Sequence, residues 1–146
     1  MDSKPGTYAL ILRSWRRQRL KVGRWREIGV EPGYYIYIGS AFGPGGVQAR
    51  LNRHCRETKT NHWHIDYLRE ISSPVGAWMS YEPIRLEHRW ARRLVDVEGV
   101  RTIPGFGCSD CKCHTHLFIT TEAPRYALFS TLMGGKIEEW TYRRAA

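Results

Sequence analysis

The stretch from Pro32 to Glu57, PGYYIYIGSAFGPGGVQARLNRHCRE, constrains this chain more than any other. Tyr34 to Ile38 is a run of aromatic and β-branched residues, the composition of a strand. Strand side chains alternate, so Ile36 and Ile38 face one way and Tyr35 and Tyr37 the other. Gly43, Pro44, Gly45 and Gly46 then disfavour a helix before Val47. From Val47 the period becomes helical: Val47, Leu51 and Cys55 form a core-facing stripe at i, i+4 and i+8. Arg50 and His54 flank one edge of that stripe, while Asn52 and Arg53 face away. A strand with an outward tyrosine thus runs through a glycine turn into a helix that holds an arginine and a histidine beside it.

The rest of the chain must pack around this unit. Thr7 to Arg13 is apolar on both faces and predicts a central strand. Arg13 to Arg26, RSWRRQRLKVGRWR, holds seven basic residues and two tryptophans. Its alternation at Arg19–Val22 and Arg24–Arg26, broken by Gly23, predicts a hairpin. Arg16, Arg17, Arg19, Lys21 and Arg24, with Arg53 from the helix, are candidates to neutralise phosphates, and Trp15 or Trp25 offers a stacking face. The competing reading is a solvated basic hairpin whose tryptophans pack on the sheet. Asn61 is placed to cap a helix through HWHIDYLREI, where His62 and Asp66 lie one turn apart. That spacing suits a His–carboxylate pair or two metal ligands, with His64 beside them, although it is more often a surface hydrogen bond.

Val75 to Tyr81 predicts another strand, and a helix follows from about Ile84 to Val97. Ile84, Trp90, Ala91, Leu94 and Val95 make one apolar face of that helix, with Glu87 near its centre. A carboxylate there loses solvation at several kcal/mol unless it is paired or binds a cation, so it marks a cation site, an arginine partner, or a helix rotated so that the carboxylate reaches water at an edge. Arg101 to His116 is a turn-rich loop in which Cys108, Cys111, Cys113, His114 and His116 offer soft donors for tetrahedral zinc, with Cys108, Cys111, Cys113 and His116 the preferred set. All four lie within nine residues, a strained closure, and reduced thiols packed in a loop are the alternative. Leu117 to Thr121 predicts a last strand, Pro124 to Leu132 a short helix, and the tail ends in Arg143 and Arg144.

Composition bounds the partners. At 146 residues with 42% hydrophobic content the chain has material for one modest core, so disorder is not expected. A formal charge of +9 favours polyanions, nucleic acid before anionic membrane. No apolar run approaches the roughly 20 residues of a membrane span, and no signal-peptide core precedes Gly6. A cytoplasmic address and no membrane partner are expected. Four cysteines, three of them between 108 and 113, suit a reducing compartment or a metal rather than a disulfide framework.

Gly6-Thr7-Tyr8, Tyr37-Ile38-Gly39, Arg50 and His54 together resemble the GIY-YIG nucleases, which carry Gly-x-Tyr and Tyr-x-Gly strands and then a helix arginine. The blocks GTYAL, PGYYIYIGSAFGPGG, HWHIDYL and GFGCSDC resemble more closely the Uri-type or DUF123 endonuclease branch, up to about Phe118. The resemblance implies an α+β fold: a small three-stranded, mainly antiparallel sheet flanked by helices, with a basic hairpin insertion and a Cys-rich C-terminal loop. It implies one nuclease domain over 1–146, with a core of about 5–118 and an extension of about 119–146. The implied activity is metal-dependent hydrolysis of phosphodiesters in DNA, branched or damaged duplexes included, with RNA as an alternative.

The implied roles are Tyr8 as general base or its positioner, Tyr37 as donor to the phosphate and Arg50 as transition-state clamp. His54 would support the proton path, and Glu87 would hold one Mg²⁺ or Mn²⁺. Compared with compact members of that family, the basic hairpin lengthens the spacing from Tyr8 to Tyr37, and the glycine turn sets Arg50 further from Gly39. The rival from another class is a non-catalytic, zinc-stapled nucleic-acid-binding module whose tyrosines stack on bases. Its affinity would depend on Arg16, Arg17, Arg19 and Lys21 but not on Glu87.

Overall fold

The computed structural model describes residues 1–57, 59–108 and 111–143, so Arg144 of the basic tail lies outside the described residues. In chain order the elements are β1 (Gly6–Ser14), β2 (Gln18–Val22), β3 (Arg26–Val30), β4 (Gly33–Ala41), α1 (Gly46–Cys55) and α2 (His64–Arg69). There follow β5 (Ser73–Ser80), α3 (Glu87–Val95), β6 (Arg101–Thr102), β7 (Leu117–Thr120), α4 (Tyr126–Met133) and β8 (Glu138–Thr141). The fold is mixed α+β, but its main sheet has six strands, not three, in the order β6-β7-β4-β1-β5-β8. Each of its pairings is antiparallel.

Strand β1 lies between β4 and β5, as apolar residues on both its faces require. The two strands that local pattern misses are the sheet's edges. β6 is only two residues long, and β8 reads EEWT, with no apolar alternation to announce it. Pairing of Glu138 to Thr141 with Met79 to Gly76 is what makes β8 a strand.

The two faces of the sheet bury separate clusters. On one face Leu10 and Leu12 pack with Val47 and Leu51 of α1, Ile65 and Leu68 of α2, and Phe106. On the other, Ala9 and Ile11 pack with Trp90 and Leu94 of α3 and with Phe129 and Met133 of α4. Alternation along β4 divides as expected, with Tyr35 and Tyr37 on the first face and Ile36 and Ile38 on the second.

Three boundaries differ from those the sequence predicts. The basic hairpin's second arm is Arg26–Val30, because Gly23 to Trp25 form its turn, Gly23 at φ 53°. β2 and β3 form their own two-stranded sheet, and Leu20, Val22, Ile28 and Val30 dock into the first cluster. The hairpin is therefore a packed element rather than a projecting arm. α2 starts at His64 with Trp63 as its cap, while the Asn61 side chain donates to Glu70 Oε1 instead. α3 starts at Glu87, three residues later than expected, and Ile84 is left exposed. Among the described residues no helix is long and apolar enough to cross a membrane.

The register of β1 on β4 sets Thr7 against Ser40 and Tyr8 against Gly39. These pairs stand at one end of the sheet. There α1 comes in from one face, and the start of α3, whose Leu86 N–H donates to Thr7 Oγ1, from the other.

Candidate active site

A cleft of about 440 Å³ opens at that end of the sheet. Tyr8 of β1, Tyr37 and Ser40 of β4, Arg50 of α1, His62, Trp63 and His64 around the start of α2, and Glu87 and His88 of α3 line it. Cys111 and His116 of the cysteine loop complete the wall. The two glycines of the Gly-x-Tyr and Tyr-x-Gly triplets owe their place to close approach. A Cβ on Gly39 would stand 2.5 Å from the Tyr8 phenol oxygen, and one on Gly6 would stand 2.3 Å from the Ser80 carbonyl. Neither position tolerates a side chain without moving backbone or the tyrosine itself.

The Tyr8 ring is buried, and its hydroxyl is hydrogen-bonded to His54 Nε2 at 2.7 Å. Burial and then the neighbouring Tyr37 push the Tyr8 phenol well above its ordinary range, and the Arg50 guanidinium opposes them only in part. Burial also raises the Tyr37 phenol, with Glu87 adding to it. The helical stripe sets His54 at its edge; in the fold it is 1% exposed, and burial pulls its imidazole down to about 3. His54 is therefore neutral at physiological pH, and its Nδ1 is buried without a partner among the described residues. Proton transfer from so reluctant a phenol to so weak an imidazole runs far uphill. The geometry of the pair holds the phenol in place.

Arg50 lies along the edge of the cleft with its guanidinium carbon 4.4 Å from the centre of the Trp63 ring. Glu87 is the first residue of α3, not the centre of its apolar face: Leu86, Trp90, Ala91 and Leu94 are buried, and the carboxylate turns into the cleft. Ser40 Oγ donates to Glu87 Oε1 at 3.0 Å, and Arg85 Nη1 donates to Ser40 Oγ at 3.3 Å. Glu87 is thus not stranded on an apolar surface, because the helix begins later than the periodicity implies, yet its carboxylate still stands in the cleft.

Other expected site residues are placed elsewhere. Asp66 is fully buried and takes both ends of the Arg53 guanidinium at 2.9 Å, together with the backbone amides of His62 and Trp63. Burial alone would push the Asp66 carboxyl up, but the Arg53 fork and those amides outweigh it and hold it below its usual range. Asp66 thus pairs with Arg53, not with the His62 imidazole, and Arg53 is occupied inside the fold rather than presented to a phosphate. His62 remains on the cleft wall. His64 Nδ1 accepts the Gly107 N–H at 2.9 Å, and its ring stacks on Trp25 at 4.5 Å. Trp25 is consequently a packing residue, whereas Trp15 is 62% exposed.

Arg16, Arg17, Arg19, Lys21 and Arg24 are on and beside the hairpin, largely exposed, and do not line the cleft. Arg19 is bonded to Glu27 across the hairpin at 2.5 Å.

The cysteine loop departs from the expected donor set. His88, Cys111, Cys113 and His116 hold one donor atom each within 4.8 Å of one another, a group able to take a metal ion. Cys108 is not in it; its thiol points to the Phe106 carbonyl at 3.5 Å. His88 escapes a sequence reading because it lies 23 residues before Cys111, on a different element. Ser40, Trp63 and Arg85 escape it for the same reason: each is an ordinary residue locally and meets the site only through the fold.

A family model described as "Domain of unknown function DUF123" matches residues 7–135. No curated protein and no solved structure matches the chain.

Proposed function

The chain belongs to the DUF123 family, and we propose that it is a GIY-YIG-type endonuclease that hydrolyses phosphodiester bonds in DNA with the help of a divalent cation. The observation that carries this reading is the convergence of Tyr8, Tyr37, Arg50 and Glu87 on one cleft at the sheet's end. In-line attack on a phosphate uses a positive group to offset the developing charge and a carboxylate able to hold a Lewis-acid cation, and the roles of the two phenols are those that the resemblance to the GIY-YIG nucleases implies. The +9 charge of the chain supplies the long-range attraction to a polyanion.

Glu87 fits a hard cation. Its carboxylate is held by Ser40, with no arginine hydrogen-bonded to it among the described residues. Mg²⁺ or Mn²⁺ commonly uses one or two carboxylates and keeps several waters. Bound there, the cation would supply Lewis-acid stabilisation of the leaving oxygen.

The remaining work falls to the chain. Arg50 sets its guanidinium, which lies over the Trp63 ring, against the non-bridging phosphate oxygens as charge develops. Tyr37 donates to the phosphate. Tyr8, kept protonated by burial, orients the attacking water, neutral His54 locks the Tyr8 hydroxyl in that position, and the proton that the water loses passes to solvent in the open cleft. His54 is a positioning residue in this scheme.

The test is incubation with plain, flapped and branched duplex DNA in Mg²⁺, in Mn²⁺ and in EDTA, for the wild type, Glu87→Gln and Arg50→Ala. Cleavage is expected in either cation and in neither variant, with melting and metal-free DNA binding of Glu87→Gln unchanged. With no arginine hydrogen-bonded to Glu87 among the described residues, the swap strands no buried cation. Full activity in Glu87→Gln would remove the carboxylate from the mechanism. DNA binding without cleavage on every substrate would leave the non-catalytic module.

A further inference from the structure

We infer that His88, Cys111, Cys113 and His116 form a tetrahedral zinc site that staples the cysteine loop to the start of α3. This site is separate from the hard-cation position at Glu87, and the inference stands whether or not the cleft cleaves DNA.

Geometry carries the first part. Two thiols and two imidazoles converge from two segments, His88 from the second position of α3 and the others from the loop before β7. A four-coordinate zinc with bonds of about 2.0–2.3 Å holds its donor atoms roughly 3.3–3.8 Å apart. Here His88 Nδ1 is 2.9 Å from Cys113 Sγ, His116 Nε2 is 3.2 Å from Cys111 Sγ, and all four donors fall within 4.8 Å. The closure that is strained with four donors in nine residues is relieved, because one donor comes from a helix instead.

The surroundings carry the second part. His116 is buried, and its Nδ1 lies 3.1 Å from the Ile38 carbonyl. A carbonyl can only accept, so the ring proton sits on Nδ1 and Nε2 presents its lone pair towards the Cys111 thiol. This is the arrangement of a ligating histidine held by an acceptor behind it. The outer nitrogens of both histidines also face the Glu87 carboxylate, His88 Nε2 at 3.8 Å and His116 Nδ1 at 3.9 Å. Thiolate and imidazole donors select zinc over the oxygen-seeking Mg²⁺.

The consequence is positional. Cys111, His116 and His88 form one wall of the cleft, and Glu87 is the residue next to His88. Zinc would therefore fix the wall against which Glu87 rests.

Protein purified without chelator is expected to hold close to one zinc per chain, and a strong chelator should lower its melting temperature. Replacing zinc with Co²⁺ should give the intense visible d–d bands and thiolate charge transfer of a tetrahedral sulfur–nitrogen site. Cys108→Ser should keep full stoichiometry, while His88→Ala and Cys113→Ser should each lose at least half of the bound metal. The wild-type metal content and cobalt spectrum decide the matter even if those variants fold poorly. Absence of zinc together with a cobalt spectrum lacking thiolate charge transfer would overturn the site. Loss of metal from Cys108→Ser with retention in His88→Ala would overturn this ligand set.

Discussion

A buried histidine with one unpartnered nitrogen is the most vulnerable point of the site's energetics. His54 is held neutral because a charge at its position would be stripped of water, and its imidazole is drawn down to about 3 from an ordinary 6.5. The unfolded chain therefore binds a proton that the folded chain refuses. The stability that depends on neutral His54 is complete above about pH 6.5 and is lost as pH falls toward 3, at about 1.4 kcal/mol per pH unit. Urea unfolding at a series of pH values between 7.5 and 4 should show this fall in the wild type and a shallower one in His54→Gln. Equal slopes would mean that His54 is not the group responsible. The same variant should leave the Tyr8 hydroxyl less firmly held, so its cleavage rate is expected to drop more than its DNA affinity.

The basic hairpin shows how one element can serve two ends. Alternation sends Leu20, Val22, Ile28 and Val30 inward to the core, and the opposite face is left to Arg19, Lys21 and Glu27. Arg16, Arg17 and Lys21 are exposed, whereas Arg19 is already neutralised by Glu27. We expect the triple alanine variant of Arg16, Arg17 and Lys21 to lower the slope of log K against log salt by about 0.9 for each phosphate it no longer neutralises, with little change in melting. Arg53→Ala should do the reverse. It leaves the Asp66 carboxylate buried without its cation, so a stability loss of about 3–5 kcal/mol is expected with the salt slope unchanged. A duplex titration across a salt series and a melting curve on each variant separate the two. An altered slope in Arg53→Ala would return that residue to the DNA-facing set.

At the scale of the whole molecule, the sheet is covered on both faces, and the second cover comes late in the chain. Phe129 and Met133 of α4 pack beside Trp78 and Trp90, and β8 pairs along β5. The segment after residue 118 thus completes the second cluster and one edge of the sheet. The Phe129 ring lies tilted at 4.8 Å from Trp78 and meets Trp90 edge-on at 5.2 Å, so Phe129→Ala should leave a cavity costing about 3–5 kcal/mol. Chemical denaturation of that variant checks it; a loss below about 1 kcal/mol would mean that α4 only rests on the surface. Since α3 packs against the same cluster, a loosened α4 is also expected to weaken cleavage through the position of Glu87.

Local pattern was enough for the elements that repeat a period: the central strand from both apolar faces, β4 from its aromatic alternation, and α1 from Val47 and Leu51. Tyr8, Tyr37 and Arg50 stood out through the resemblance of whole blocks rather than through local pattern, and Glu87 through a helical wheel; the fold brings all four to one cleft. Local pattern failed where meaning depends on a distant partner. The wheel that centred Glu87 on an apolar face assumed three more residues of helix than the Thr7 hydroxyl and the turn before Leu86 allow. Asp66 looked like a partner for His62 one turn away, yet the cation that meets it in space is Arg53, thirteen residues earlier. His88 joined the cysteines, and β8 became a strand, only when the sheet brought remote segments together. The sequence by itself determined the periodic elements and the supply of polar, basic and thiol side chains; charge pairing, helix ends and donor sets were decided by the tertiary structure, because electrostatic and coordination partners are chosen by distance in space and not along the chain.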